Sequence, residues 1–331
     1  MRPQEVSRFG KNERWNLRSF WSILAPIGRK RKRMAQTQPQ TIKDRLDGPV
    51  NSIPTPFLAN GDIDIDGVRN IIDVGIAGGS EVSLLTYGDS QFDHLSDEEV
   101  AELTRCLIDQ VKGRALTVAA TRRWSNAKAV EFAHFCKDLG VDVLMVLPSD
   151  HARPGGKVEH YRAVARVMPV MLVGWPPHEI LDAIVDMDNI CCFKEDGALD
   201  YAPDTMQKYG DAWKFMTGGG LWRNFTQWPW RPAFFCYFSS FAPHVARDYW
   251  DAVQRSDVEK ASSIIRQIEK PFEALASNVD GGFQALWRAT LELNGVASRF
   301  LRPPMVTATE EEVDRIRGPI EELGLITHPL A

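Results

Sequence analysis

The run Ile190-Cys191-Cys192-Phe193-Lys194-Glu195-Asp196 carries four apolar residues and then three charged ones. A short apolar run of this kind suits a strand buried on both faces, and the charges mark where it leaves the core. Working outward from it, similar runs recur from Pro49 onward at a period of about thirty residues, with amphipathic stretches between them. They fall at 50–54, 81–86, 115–120, 141–147, 170–173, 190–194, 214–217 and 233–238. Eight strands alternating with helices predict an α/β protein whose parallel sheet closes into a (β/α)8 TIM barrel rather than staying open.

The helical stretches carry their own punctuation. Ser96-Asp97-Glu98-Glu99 is a capping box, in which hydroxyl and carboxylate satisfy orphan N–H groups reciprocally. Asp66 precedes 67–77, where Val68, Ile71, Ile72 and Ile76 share a face. Gly113, Gly140 and Gly210 sit where helices should stop. Beyond the eighth strand, stretches near 243–276, 280–294 and 309–323 predict a C-terminal helical extension packed on the barrel. The organisation expected is an extension over 1–45, the barrel over 46–240, and the last barrel helix with a helical bundle over 241–331.

Composition narrows the function classes. The chain has 331 residues, 44% hydrophobic, and a formal net charge of -5. Residues 1–33 hold ten Lys or Arg against two Glu, leaving 29 against 42 in the rest. An acidic body disfavours nucleic acid as a partner, because phosphate neutralisation needs a basic surplus. No apolar run reaches the roughly 18 residues of a membrane span. The five cysteines lie outside any CxxC spacing and read as buried thiols in a reducing cytoplasm rather than a disulfide framework. The first 33 residues place an apolar centre before the basic block 29–33, the reverse of a secretory signal. They read as a basic, disordered extension with Met34 as the candidate start, or else as a basic surface-binding arm or an organellar presequence, in each case outside the fold.

In such barrels the reacting groups stand at the C-terminal strand ends and in the loops that follow. Those ends supply Thr86-Tyr87-Gly88-Asp89-Ser90, Pro148-Ser149-Asp150-His151, Gly174-Trp175-Pro176-Pro177-His178, Lys194 and Thr217-Gly218-Gly219-Gly220. Lys194 is the principal catalytic candidate: a lysine at the end of a buried strand can present a free amine to a carbonyl. The competing reading is a lysine that reaches out of the strand to pair with Glu195 or Asp196.

With these residues in view, the chain resembles the pyruvate-dependent class I aldolases and dehydratases of the dihydrodipicolinate synthase / N-acetylneuraminate lyase group, over about residues 48–325. Thr55-Pro56-Phe57, Asn60-Gly61-Asp62-Ile63-Asp64, Thr86-Tyr87-Gly88-Asp89-Ser90, Leu95-Ser96-Asp97-Glu98-Glu99, Pro148, Lys194-Glu195 and Thr217-Gly218 carry the resemblance. It implies that Lys194 forms an imine with a 2-oxo acid and that Thr86 and Tyr87 hold the substrate carboxylate. Gly218 would let the backbone approach the ligand, and the main chain at Phe235 would help hold the carboxylate. A protonated imine is itself an electron sink, so neither metal nor organic cofactor is implied. A homo-oligomer is.

The chain departs from the family pattern as well. Val173 stands where a proton-relaying tyrosine is usual, and Ser149 and Asp150 replace a pair of tyrosines. An arginine for the distal end of some substrates falls near His178. Candidate replacement relays are Tyr87, Asp150, His151 and His178. Trp222, Phe225, Trp228 and Trp230 suit a pocket or, preferably, a subunit interface. The His and carboxylate residues lack metal-ligand spacing, and Gly218-Gly219-Gly220 lacks the rest of a phosphate-binding loop. The rival to a lyase is a non-catalytic barrel that binds an oxo acid or sugar acid after losing its relay.

Overall fold

The computed structural model describes residues 36–327. Its strands are β1 (Pro49–Ser52), β2 (Val82–Leu84), β3 (Leu116–Ala120), β4 (Val143–Met145), β5 (Val170–Gly174), β6 (Ile190–Glu195), β7 (Lys214–Thr217) and β8 (Ala233–Cys236). They pair in parallel in chain order, and β8 returns to β1 with Val50 beside Phe235, closing the (β/α)8 barrel. The ladders are shorter than the apolar runs that announce them. Val146 and Leu147, for example, stay buried after β4 has left the sheet.

Between the strands lie α2 (Ile65–Ala77), α3 (Asp97–Val111), α4 (Asn126–Leu139), α5 (Pro154–Ala165), α6 (His178–Asp182), α7 (Tyr201–Tyr209) and α8 (Leu221–Thr226), and α9 (Pro243–Gln254) follows β8. The capping box at Ser96 forms as read, Ser96 Oγ accepting from Glu99 N while the Glu99 carboxylate accepts from Ser96 N. Gly140 ends α4 with a φ of 90°, a left-handed position that suits a residue without Cβ. The cap of α2 is Asp64, not Asp66. Its carboxylate accepts from Gly67 N and from Ser298 N, so a long-range contact fixed the boundary.

A seven-residue helix, α1 (Pro39–Arg45), precedes β1, with Ile42 and Leu46 fully buried. It packs against β6. This helix lies inside the stretch assigned from sequence to the 1–45 extension, so residues 39–45 belong with the barrel. The basic block and Met34 lie outside the described residues.

One irregularity in the sheet matters for the site. Val170 pairs with Ile190 but Met171 pairs with Cys192, leaving Cys191 as an extra residue. Such a bulge re-aims the strand beyond it. Lys194 thereby comes to lie beside Val173; in unbroken register it would face Gly174.

After α9 the chain continues through α10 (Val258–Ile264), a π-helical turn Ile265–Glu269, α11 (Lys270–Ala274), α12 (Gly282–Leu293) and α13 (Glu310–Glu322). Rings of Tyr237, Phe238, Phe241, Phe272, Phe283 and Trp287 interlock between the end of β8 and these helices, with neighbouring centroids 4.5–6.2 Å apart. All of these rings but the half-buried Phe283 are buried, and each buried one contributes about 1.5–3 kcal/mol through the area it removes from water. Trp287 Nε1 donates to Ser240 Oγ at 2.9 Å, tying the bundle to the barrel. All five cysteines are free and buried, and burial pushes the Cys106 thiol up to about 11 and that of Cys236 up to about 12. No helix of the described residues is long and apolar enough to cross a membrane.

Candidate active site

At the C-terminal end of the strands, Asp89, Lys194, Asp196, Gly219, Gly220, Phe235, Tyr237, Glu273 and Phe283 line a cavity of about 520 Å3. Lys194 enters from the end of β6, only 8% exposed, with its Nζ 5.9 Å from the centre of the Phe235 ring. Nζ donates to both oxygens of Asp196, at 2.5 and 2.7 Å. Alternate residues of a strand share a face, so Asp196, two positions on, follows Lys194 into the cavity. Glu195 points the other way. It is fully buried and held by Arg223 Nη2 at 2.8 and 2.7 Å, and it also accepts from Gly197 N. Burial pushes the Glu195 carboxyl above the usual range, with the Arg223 guanidinium opposing that push. Of the two ion-pair partners considered from sequence, Asp196 is the one formed.

The turn after β7 is moulded to this pair. Gly218 N donates to Glu195 O at 2.8 Å, and a Cβ on Gly218 would fall 1.6 Å from Asp196 Oδ1 and 3.0 Å from Lys194 Nζ. Only a residue without a side chain fits there. Gly220 is equally confined, since its Cβ would meet Glu269 Oε1 at 2.1 Å. Glu269, in the π-helical turn, accepts from the backbone N–H of Leu221 and, at 2.7 Å, of Trp222, and so caps α8. Burial is the largest cause that pushes its carboxyl up to about 7, with the nearby Glu273 adding to it. The Tyr237 hydroxyl lies 3.5 Å from a carboxylate oxygen of each of these two glutamates. Burial, reinforced by those carboxylates, raises the Tyr237 phenol well above its ordinary value.

Of the residues singled out from sequence, Lys194, Gly218 and Phe235 come together. Thr86 is buried next to the cavity wall. Its N–H donates to Ser90 Oγ and its hydroxyl accepts from Asp89 N, both at 3.0 Å, so its side chain shapes the turn that presents Asp89. Tyr87 turns away. Its hydroxyl donates to Asp93, the Arg123 guanidinium stacks 4.5 Å from its ring, and it lines a second hollow with Arg122, Trp124 and Lys128. Asp150 pairs with Arg123 at 2.8 Å, and His151 is exposed. His178 begins α6, with its ring 5.7 Å from those of Tyr201 and Tyr209 and its Nε2 3.2 Å from Thr205 Oγ1. None of these four relay candidates lines the Lys194 cavity.

Four lining residues escaped the sequence reading: Asp196 as more than an ion-pair partner, Tyr237, Glu273 and Phe283. One signal would have found the first two: each lies two positions beyond a recognised site residue, Lys194 and Phe235, and one residue past the end of its strand.

Comparison with known proteins places this geometry among relatives. The family model described as the Dihydrodipicolinate synthetase family matches residues 45–323. A 4-hydroxy-tetrahydrodipicolinate synthase of Moorella thermoacetica is 26% identical over 293 residues, covering 84% of this chain and 98% of that protein. A probable 5-dehydro-4-deoxyglucarate dehydratase of Streptomyces coelicolor is also 26% identical, covering 83% of this chain and 92% of that one. Among solved structures, dihydrodipicolinate synthase from Bacillus clausii superposes with a TM-score of 0.77 at 20% identity, over 86% of this chain and all of that one. N-acetylneuraminate lyase from Mycoplasma synoviae gives 0.75 at 17%, over 85% and 98%. A prophage protein of the same family from E. coli K12, solved in complex with pyruvate, gives 0.75 at 20%, over 84% and 99%. At these identities the structural likeness is one of fold. The match of the family model over most of the sequence decides membership: the chain belongs to the dihydrodipicolinate synthetase family.

Proposed function

We propose that the protein is a Schiff-base lyase of aldolase or dehydratase type, which attacks the C2 carbonyl of pyruvate or a related 2-oxo acid with Lys194. The observation that carries this reading is the placement of Lys194: a nearly buried lysine at the C-terminal end of a barrel strand, and the one lysine among the cavity-lining residues. The names of the relatives agree with it, since they include a synthase, a dehydratase and a lyase.

In this reading the amine adds to C2, water leaves, and the protonated imine draws electrons from the bond to C3. A proton or an aldehyde can then depart from C3 with the nitrogen as electron sink, and the enamine so formed can return that pair to expel a hydroxide from the next carbon. Gly219 and Gly220 expose backbone to the cavity and form the wall for the substrate carboxylate, while Phe235 covers the imine. Thr86 contributes through its hydroxyl, which holds the Asp89 turn by accepting from Asp89 N. A homo-oligomer belongs to the same proposal, with Trp222 and Trp230 among the exposed large side chains available for contact.

Borohydride trapping tests the reading. Protein incubated with pyruvate, or with a small panel of 2-oxo acids, is reduced and its intact mass and modified peptide are read. A ligand-dependent adduct on Lys194, absent in Lys194→Ala, is the expected result. No adduct with any member of the panel, from folded protein, points instead to a barrel that binds without imine chemistry.

A further inference from the structure

Enamine formation requires a group that removes a proton from C3 and returns one. Val173, which occupies the register position beside Lys194 on β5, has no proton to exchange. We propose that Asp196 is this group, the acid and base at C3 of the Lys194 imine; the inference rests on the imine reading above.

Three features of the geometry support it. The Asp196 carboxylate already touches the reacting nitrogen through both oxygens, at 2.5 and 2.7 Å. C3 of an imine on Lys194 is two bonds from Nζ, roughly 2.5 Å away by ordinary bond lengths, and so lies within the carboxylate's reach. Second, imine formation itself releases the base. An ammonium has three N–H donors, whereas a protonated imine has one. Both Asp196 oxygens are engaged in the free enzyme, and only one can be once the imine exists. The other is then free beside C3. Third, Gly218 leaves the space that Asp196 occupies, because any larger residue would displace Oδ1.

The remaining polar groups of the cavity are committed elsewhere. The Tyr237 hydroxyl sits against Glu269 and Glu273, Glu273 pairs with Lys270 at 2.7 Å, and Asp89 Oδ1 accepts from Gln284 Nε2 at 3.1 Å. A carboxylate is competent at a carbon next to a carbonyl-derived centre. The step balances without a co-reactant. The C3–H bond breaks, its electron pair forms the C2–C3 double bond, and the C–N π pair moves onto nitrogen. Asp196 becomes a carboxylic acid, and the reverse step returns the proton to C3.

The two half-events separate experimentally. Imine formation is read by borohydride adduct on Lys194, and C3 proton transfer by deuterium exchange into the methyl group of pyruvate in D2O, followed by NMR. Folding is checked by circular dichroism. In Asp196→Asn, the adduct should accumulate on long incubation while exchange falls by about 10²-fold or more, the usual contribution of a positioned acid–base group. Asp196→Ala repeats the comparison without a side-chain amide, and Asp196→Glu should restore part of the exchange. Adduct and exchange lost in parallel would reduce Asp196 to a structural ion-pair partner and overturn the proposal. So would exchange retained in Asp196→Asn, or lost in Tyr237→Phe instead. Wild-type protein that forms no adduct overturns the imine reading, and this proposal with it.

Discussion

The Asp196 carboxylate fills the space that a side chain on Gly218 would need: a Cβ there would fall 1.6 Å from Oδ1. The same Cβ would come within 3.0 Å of Lys194 Nζ, so one methyl group would disturb both members of the ion pair. Gly218→Ala should therefore slow adduct formation on Lys194 by about 5- to 160-fold, the rate equivalent of the roughly 1–3 kcal/mol that overpacking costs. The trapping rate under saturating pyruvate checks this. A variant that traps at the wild-type rate would mean that the turn can move aside.

Glu269 gives the protein a pH-dependent stability of defined sign. Burial raises its carboxyl from 4.5 to about 7, so the folded protein holds this proton more tightly than the unfolded chain does. Its favourable contribution is full below about pH 4.5 and is lost as pH rises to about 7, at up to roughly 1.4 kcal/mol per unit. Urea unfolding of wild type and Glu269→Gln at about pH 5 and about pH 8 isolates this group. Wild type should lose stability relative to the variant between the two conditions, whatever constant offset the amide introduces at Trp222 N.

Arg288 is fully buried in α12, and burial pushes its guanidinium down to about 10. Nη2 donates to the Asp89 carbonyl at 2.8 Å and Nη1 to Gln284 Oε1 at 2.5 Å. Arg288→Met keeps much of the volume but leaves these acceptors unpaired, at a cost of about 1–3 kcal/mol for an orphaned buried group. Guanidinium unfolding should show the loss with little change in slope. Because Asp89 lines the cavity, the variant should also bind pyruvate more weakly.

Ile42 tests whether α1 belongs to the barrel. It is fully buried on a helix that packs against β6, the strand that carries Lys194. Ile42→Ala should cost about 2–5 kcal/mol, as for other large-to-small changes in a core. Unfolding midpoints within error of wild type would return residues 39–45 to the extension.

The sequence exposed the barrel because its signal is local. Each apolar run, such as 214–217, needs only its own residues to declare a buried strand, and the observed β7 has the same bounds. What it concealed depends on distant partners. The cap of α2 lies at Asp64 because Ser298 reaches back to it, and α1 was passed over although Pro39 at its start and the Ile42–Leu46 spacing were there to be read. Within the site, Lys194 and Gly218 were legible from strand ends. Tyr87 and His178 were near strand ends too, but stacking on Arg123 and against Tyr201 and Tyr209 turned their side chains elsewhere. Glu269 and Glu273 could not be placed at all, since only the folding-back of the C-terminal helices brings them to the mouth.

That folding-back has a consequence for how the protein is made. The wall bearing Lys194 and Asp196 is made before Glu269, Glu273 and Phe283, which emerge only after all eight strands. Until they arrive, α8 lacks the Glu269 acceptor at its first N–H groups and the cavity around Lys194 lacks one wall. A nascent chain thus carries Lys194 before it carries all the residues that enclose it. A product that stops short of residue 269 can have the barrel's strands in full and still lack part of the cavity wall, so completion of the polypeptide, rather than closure of the sheet, is the event that finishes the cavity.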